Sequence, residues 1–394
     1  MASSQRLVWD SPGLRQRRDV GFGIAALFGN SVGPTVVAPM IETLDAPLQD
    51  TLSREAEVAS SAALSSESGH AGAGETAAAS LRIGREAIEI LQCPGCSGAL
   101  SVAAEAMQCD ACERNYPVAD GVPVLVVPEK SLFDIETFTN AEPTFFRPVG
   151  KVRELISGCL PDVTLNVSSD KVYARMLQQM LERSEHPVVL VIGGGVIGGG
   201  MDCLVDDPRI TLIETDAAIA PRTSLVCDGH DLPFADQSVD AVIVQAVLEH
   251  VVDPHRCVQE IHRVLKPGGL VYSDTPFMQQ VHGRQFDFTR FTRLGHRRLF
   301  RMFDEIESGI SCGPGTALAW SLRYFLLSFF ASDRMRAAVS LASRLMFFPL
   351  KYCDRYLVNK ASASDAASAF YFYGSRSETP LSDRELVASY HGGF

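Results

Sequence analysis

Five apolar residues in a row, Val188-Val189-Leu190-Val191-Ile192, run directly into Gly193-Gly194-Gly195-Val196-Ile197-Gly198-Gly199-Gly200. An unbroken apolar run of this length predicts a strand buried on both faces, as in a parallel sheet. The glycines permit a tight turn and a close approach of backbone amides to a ligand. Gly193, Gly195 and Gly198 fit G-x-G-x-x-G. Alone, that pattern is matched equally well by a glycine-rich turn with no ligand.

Residues farther along the chain add weight. Ile210-Thr211-Leu212-Ile213 ends in Glu214-Thr215-Asp216. An acid at the tip of a second strand, roughly 20 residues past the glycines, is placed to accept hydrogen bonds from ribose hydroxyls. Ser224 to Cys227 form a third short run ending in Asp228, and Ala241 to Val244 a fourth, closed by Gln245 to His250. Asp253-Pro254 starts a helix, with Asp253 as cap and Pro254 in its first turn. Val258, Ile261 and Leu265 recur at helical spacing, Lys266-Pro267-Gly268-Gly269 stops the helix, and Leu270 to Ser273 form a fifth strand. Alternating strand and helix predicts an α/β fold, a Rossmann-like doubly wound sheet that binds its ligand at the carboxyl ends of the strands.

The series Asp228…Leu232-Pro233-Phe234…Ser238-Val239-Asp240, Leu248-Glu249-His250-Val251…Asp253-Pro254 and Glu260 to Gly269 resembles the class I S-adenosylmethionine-dependent methyltransferases of the small-molecule type. The resemblance covers Val188 to about Phe303 and implies a seven-stranded sheet. It implies that Gly193, Gly195 and Gly198 line the methionine part of the cofactor, that Asp216 holds the ribose, that Asp228 and Gly229 face the adenine, and that Gln245 lies under the methionine. Val191 stands where the family usually has an acid, and the loop is richer in glycine than usual. Glu214 competes with Asp216 for the ribose; Asp216 aligns with the family's strand-end acid. A nicotinamide dehydrogenase would use the glycine loop but leaves the series from Asp228 to Gly269 unexplained. Asp228 and Asp240 also read as turn caps, His250 as a packed histidine, and Leu232-Pro233-Phe234 as loop packing.

A second pattern lies upstream. Cys93-x2-Cys96 and Cys109-x2-Cys112 each place two thiolates on one tight turn, and together supply four sulfurs for a tetrahedral Zn2+. The flanks, Leu91-Gln92-Cys93-Pro94-Gly95-Cys96 and Asn115-Tyr116-Pro117-Val118…Asp120-Gly121-Val122-Pro123-Val124-Leu125, resemble the small zinc-ribbon proteins that activate tRNA and protein methyltransferases. The resemblance implies a structural zinc and a ribbon fused to the enzyme.

These readings divide the chain into a low-complexity, disordered tail (1–84), a zinc ribbon (85–128), a connector with a helix at Lys171–Arg183 (129–185), the catalytic domain (186–375) and a loose polar tail (376–394). The helix could cover the cofactor site or the first strand. Ala, Ser, Gly and Glu dominate 51–80, leaving little to bury against the entropy of ordering. Val20–Met40 is too interrupted by Gly and Pro for a spanning helix or a signal peptide, and Asp10 and Asp19 weaken a transit-peptide reading. Of ten cysteines only four are regularly spaced, which fits reduced thiols in a cytoplasmic protein. A net charge of −12 counts against nucleic acid as the main partner, although arginines cluster between Arg284 and Arg301.

Beyond the fifth strand, Gln279 to Thr292 lies where a methyl acceptor would approach. His282 is the candidate general base, by its ordinary pKa. Asp287 is a second candidate or an orienting group, and Arg290 could bind an acidic group on the substrate. A lid held by the same polar residues is the alternative. Apolar helical stretches at 317–331 and 337–350, inside an insertion of about 315–352, could cap the substrate pocket, form a homodimer face or lie on a membrane surface. Phe370-Tyr371-Phe372-Tyr373 reads as the last strand. The activity expected is methyl transfer to oxygen or nitrogen of a small or lipid-like acceptor. The alternatives are an RNA methyltransferase that uses the ribbon, and a non-catalytic adapter.

Overall fold

The computed structural model describes residues 81–103, 106–133, 135 and 161–393. Most of the expected N-terminal tail and part of the connector lie outside them. Four short strands come first: β1 (Leu100–Val102), β2 (Ala106–Cys109), β3 (Asn115–Ala119) and β4 (Val122–Leu125). After them come β5 (Val188–Ile192), β6 (Thr211–Asp216), β7 (Leu225–Cys227), β8 (Val239–Gln245), β9 (Leu265–Pro276), β10 (Phe303–Cys312) and β11 (Ala369–Arg376). All eleven join one sheet in the order β1-β2-β3-β4-β7-β6-β5-β8-β9-β11-β10.

Strands β5 to β9 pair in parallel, and β11 inserts antiparallel between β9 and β10. The expected seven-stranded sheet is therefore present. The chain moves outward from β5 to β6 and β7, then returns to lay β8 on the other side of β5. Such a reversal opens a crevice at the strand ends where open α/β sheets bind ligands, and the glycine loop leaves β5 at that point.

The ribbon is not a separate body. Val124 and Leu125 of β4 pair in parallel with Val226 and Cys227 of β7. All four β4 residues are buried, and Val122, Val124 and Val126 pack with Val226. An apolar run this short finds no second face inside a small ribbon, and the outer edge of β7 offers unpaired backbone groups. The Leu232-Pro233-Phe234 loop completes the joint: the Gln92 amide donates to Pro233 O at 2.9 Å and the Ala235 amide to Ile90 O at 2.9 Å. Phe234 shares one apolar cluster with Leu91, Met107 and Tyr116.

The connector helix, Ser169–Leu181, lays Val172, Tyr173, Met176 and Met180 on Val189 and Val191. It covers the first strand. Asp240 accepts from the Val188 amide and from Lys266 Nζ, each at 2.9 Å, tying the start of β5 to β9. The helix begun at Pro254 ends at Val264, and β9 starts with the next residue, earlier than the apolar run at Leu270 implied. The tail from Ser375 is docked where a loose segment was expected. Ser375 and Arg376 belong to β11, and Asp383–Ala388 is a helix closed by a reciprocal capping box between Ser382 and Glu385. The S-x-x-E pattern was the missed signal. No helix among the described residues is long and apolar enough to cross a membrane.

Because β4 is part of the central sheet, Val124→Asp should destabilise ribbon and sheet together. An unpaired charge at this fully buried position costs about 3 kcal/mol or more, and urea unfolding should shift as a single transition. A ribbon that melts separately while the sheet keeps its midpoint would contradict the shared core.

Candidate active site

At the end of β5 the backbone turns through Gly193 at φ +74°, where a Cβ would lie 2.3 Å from Val247 Cγ2. A Cβ on Gly198 would lie 2.2 Å from Gln245 Oε1. At Gly193 the left-handed backbone and Val247 exclude a side chain, and at Gly198 one would have to displace Gln245 and Met201, so the loop passes close over the ends of β5 and β8. Beneath it opens a cavity of about 490 Å³, in the range of small-molecule sites.

Gly193, Gly198, Asp216, Asp228, Gly229 and Gln245 all line this cavity. Gly195 is not among the lining residues; its amide donates to Asp216 Oδ2 at 3.1 Å. Burial pushes the Asp216 carboxyl up to about 6, although three backbone amides oppose the shift. Glu214 does not line the cavity and instead pairs with Arg222 at 2.5 Å. Val191 lies under the connector helix in an apolar cluster with Tyr173 and Met176. An acid there would be buried among apolar side chains.

Gln245 Oε1 accepts from Tyr173 OH at 3.0 Å, which fixes the amide. Asp228 is almost fully buried. Burial raises its pKa, but hydrogen bonds from His230 and Ser131 outweigh this and hold it below the ordinary value. Ser131 lies in the segment that leaves the ribbon, as do Leu132 and Phe133, which also line the cavity. The sequence pattern assigned nothing to these three residues.

His250, His282 and Gly283 also line the cavity. Of the three residues assigned to chemistry, only His282 is there. Asp287 accepts from the amides of His282 at 2.7 Å and Gly283 at 3.1 Å. Burial opposes its ionisation, but Arg290 overrides that and holds the carboxyl far below the ordinary range. Arg290 in turn donates to the carbonyls of Gln279, Gln280 and Thr289 at 3.0, 3.1 and 2.9 Å. This ion pair fastens the loop, and the guanidinium has its donors engaged by the protein. Glu249, quoted only as part of a motif, is wholly buried beside the two histidines. Its place four residues past the end of β8 gives no sign of this in the sequence.

In the ribbon, the sulfur atoms of Cys93, Cys96, Cys109 and Cys112 lie within 4.8 Å of one another. Cys93 and Cys112 are 3.8 Å apart, and Cys96 and Cys109 3.4 Å. A tetrahedral zinc with Zn–S of about 2.3 Å requires sulfurs roughly 3.8 Å apart, so the set fits. Both knuckles end alike, with Ser97 at φ 58° and Glu113 at φ 57°.

Residues 205–273 match the family model described as a methyltransferase domain, and residues 85–121 match the one described as Trm112p-like protein. The chain therefore carries a methyltransferase domain joined to a Trm112p-like ribbon. An uncharacterised methyltransferase of Mycobacterium tuberculosis is 37% identical over 89 residues, which is 21% of this chain and 36% of that protein. The demethylmenaquinone methyltransferase of Mycolicibacterium vanbaalenii is 29% identical over 117 residues, 28% of this chain and 51% of its own length. The chain thus spans 36% of the first relative and 51% of the second. Among solved structures, phosphoethanolamine N-methyltransferase 2 of Haemonchus contortus, in complex with S-adenosylmethionine, is 19% identical over 53% of each chain, with a TM-score of 0.35. A chain of the Haloferax volcanii complex containing the Trm112 methyltransferase activator is 21% identical over 53% of this chain and 92% of that one, with a TM-score of 0.32.

The raised carboxyl of Asp216 has a stability consequence. An acid whose folded pKa of about 6 exceeds its ordinary value favours the folded state when protonated, so its contribution declines as pH rises toward and through 6. Asp216→Asn should stabilise the protein by about 2 kcal/mol at pH 8 and by almost nothing at pH 4. Denaturant midpoints at the two pH values check this; equal shifts at both would contradict the burial argument.

Proposed function

We propose that the protein transfers a methyl group from S-adenosylmethionine to an oxygen or nitrogen of a small or lipid-like acceptor. The carrying observation is one cavity whose lining brings together two chemically different groups of residues. Its lining includes the glycine loop, Asp216 and Gln245 on the one hand and the imidazoles of His250 and His282 on the other, with Glu249 buried behind the histidines. In this reading Asp216 accepts the ribose hydroxyls, Gly229 faces the adenine beside Asp228, and Gly193 and Gly198 leave room for the methionine. Bound S-adenosylmethionine supplies an electrophilic methyl on a sulfonium. The protein's part is to align the acceptor in line with it and to remove the acceptor proton, and His282 and its neighbours are the polar groups at that wall. Zn2+ on the four cysteines would hold the ribbon's shape, with no open position for chemistry.

Two observations favour a lipid-like acceptor over RNA. A matched relative bears the name demethylmenaquinone methyltransferase. Exposed apolar side chains, among them Met278, Val281, Phe288, Leu318 and Phe325, occur in the loop that carries His282 and in the inserted helix beside it. Tyr324 of that helix donates to Val281 O at 3.2 Å, and Gln280 to Ser321 at 3.1 Å. In this reading the insertion borders the acceptor entrance. The Trm112p-like ribbon keeps an RNA or protein acceptor as the second reading.

Calorimetric titration should show micromolar binding of S-adenosylmethionine and none of NAD. Gly198→Val should abolish that binding, because the side chain would displace Gln245. His282→Ala should leave the binding intact and lower turnover about 10²–10⁴-fold. No binding by the unaltered protein would move the adapter reading to the front, and salt-sensitive RNA binding would favour the RNA reading.

A further inference from the structure

Glu249 is 0% exposed, and neither carboxylate oxygen has a hydrogen-bond partner among the described residues. A buried carboxylate left without donors is costly, so its surroundings should contain something that satisfies it. Its near polar neighbours are two imidazoles: His250 Nε2 at 3.7 Å and His282 Nε2 at 3.8 Å from Oε1. Both distances are beyond hydrogen-bond reach.

The far nitrogens of the two rings reveal how they are set. His250 Nδ1 lies 2.8 Å from Phe286 O, and His282 Nδ1 3.2 Å from Gln280 O. A carbonyl can only accept, so each Nδ1 carries a proton and each Nε2 is turned toward Glu249. Arg290 Nη2 stands 3.5 Å from the same His282 nitrogen, at the limit of hydrogen-bond reach. An Nε2 facing inward, with the Nδ1–H tied to a backbone carbonyl, is the orientation of metal-bound histidine. The three ligand atoms lie within 4.8 Å of one another. Ligands about 2.1 Å from a shared ion sit roughly 3–3.5 Å apart, so each imidazole would move a few tenths of an ångström toward Glu249, and the two rings toward each other by up to about 1.5 Å, to seat one. Gly283 allows the packing, since a Cβ there would lie 2.4 Å from His250 Nδ1.

We infer that Glu249, His250 Nε2 and His282 Nε2 form a second metal site, for a divalent first-row transition ion, with open positions facing the cavity. Two imidazoles and one carboxylate suit zinc, iron(II) or manganese in place of magnesium or calcium. The inference rests on the methyltransferase reading for its role: the ion would hold the acceptor oxygen and lower its pKa, with the proton passing to solvent. His282 would then be a ligand in place of the base.

The test is metal stoichiometry of the full-length protein, dialysed against zinc and then metal-free buffer, with S-adenosylmethionine titrated into the same samples. Two zinc ions per chain are expected, falling to one in Glu249→Gln and in His282→Gln. Cobalt substitution should add a band set without sulfur charge transfer, lost in the same variants, while the four-thiolate bands remain. These retained bands show that the variant is folded, and either variant alone suffices if the other does not express. One zinc per chain in the unaltered protein, or two in both variants, overturns the site. Binding of S-adenosylmethionine reports separately on the methyltransferase reading, which stands or falls whatever the zinc count.

Discussion

The absence of two Cβ atoms sets the geometry of everything at the crevice. With Gly193 and Gly198 bare, the loop after β5 closes to van der Waals distance over Val247 and Gln245. That closeness brings the loop amide of Gly195 to Asp216 and lets the ends of β5, β6 and β8 form one wall. The burial this produces is what raises the Asp216 carboxyl. A ligand entering here meets backbone amides and a desolvated acid, where hydrogen bonds and charge act with less screening than at an open surface.

The strands that carry this wall were legible because each obeys a simple local rule. Val188–Ile192 is apolar throughout, Asp216 and Asp228 punctuate strand ends, and Asp253-Pro254 starts a helix by capping. Sequence order then forces the parallel topology. What escaped reading depends on distance in space. Arg290 looked like a free cation, yet its partners include carbonyls ten and eleven residues away. Glu249 looked like part of a motif, and its isolation arises only when the 280–290 loop folds over it. Glu214 and Asp216, two residues apart, differ in what the fold brings to each: Arg222 meets one and the Gly195 amide the other.

The ribbon shows the same limit at larger scale. Its cysteine spacing and knuckle turns are local and were readable. Its attachment was not, because nothing in β4 names β7, a strand about 100 residues later, as its partner. The clue lies in composition: Val122 to Leu125 is too apolar for a ribbon that has only one face to offer. The same segment continues into Ser131, whose hydroxyl reaches Asp228 in the cavity. The four-sulfur cluster and the site are thus connected by a short stretch of chain.

This junction has a consequence for assembly. A ribbon on a separate chain would occupy the edge of β7 only in proportion to its concentration. Here the covalent tether makes docking intramolecular, at an effective concentration that no dilution changes. Ser131 is therefore supplied to Asp228 in every molecule, and its supply cannot be regulated by the abundance of a partner.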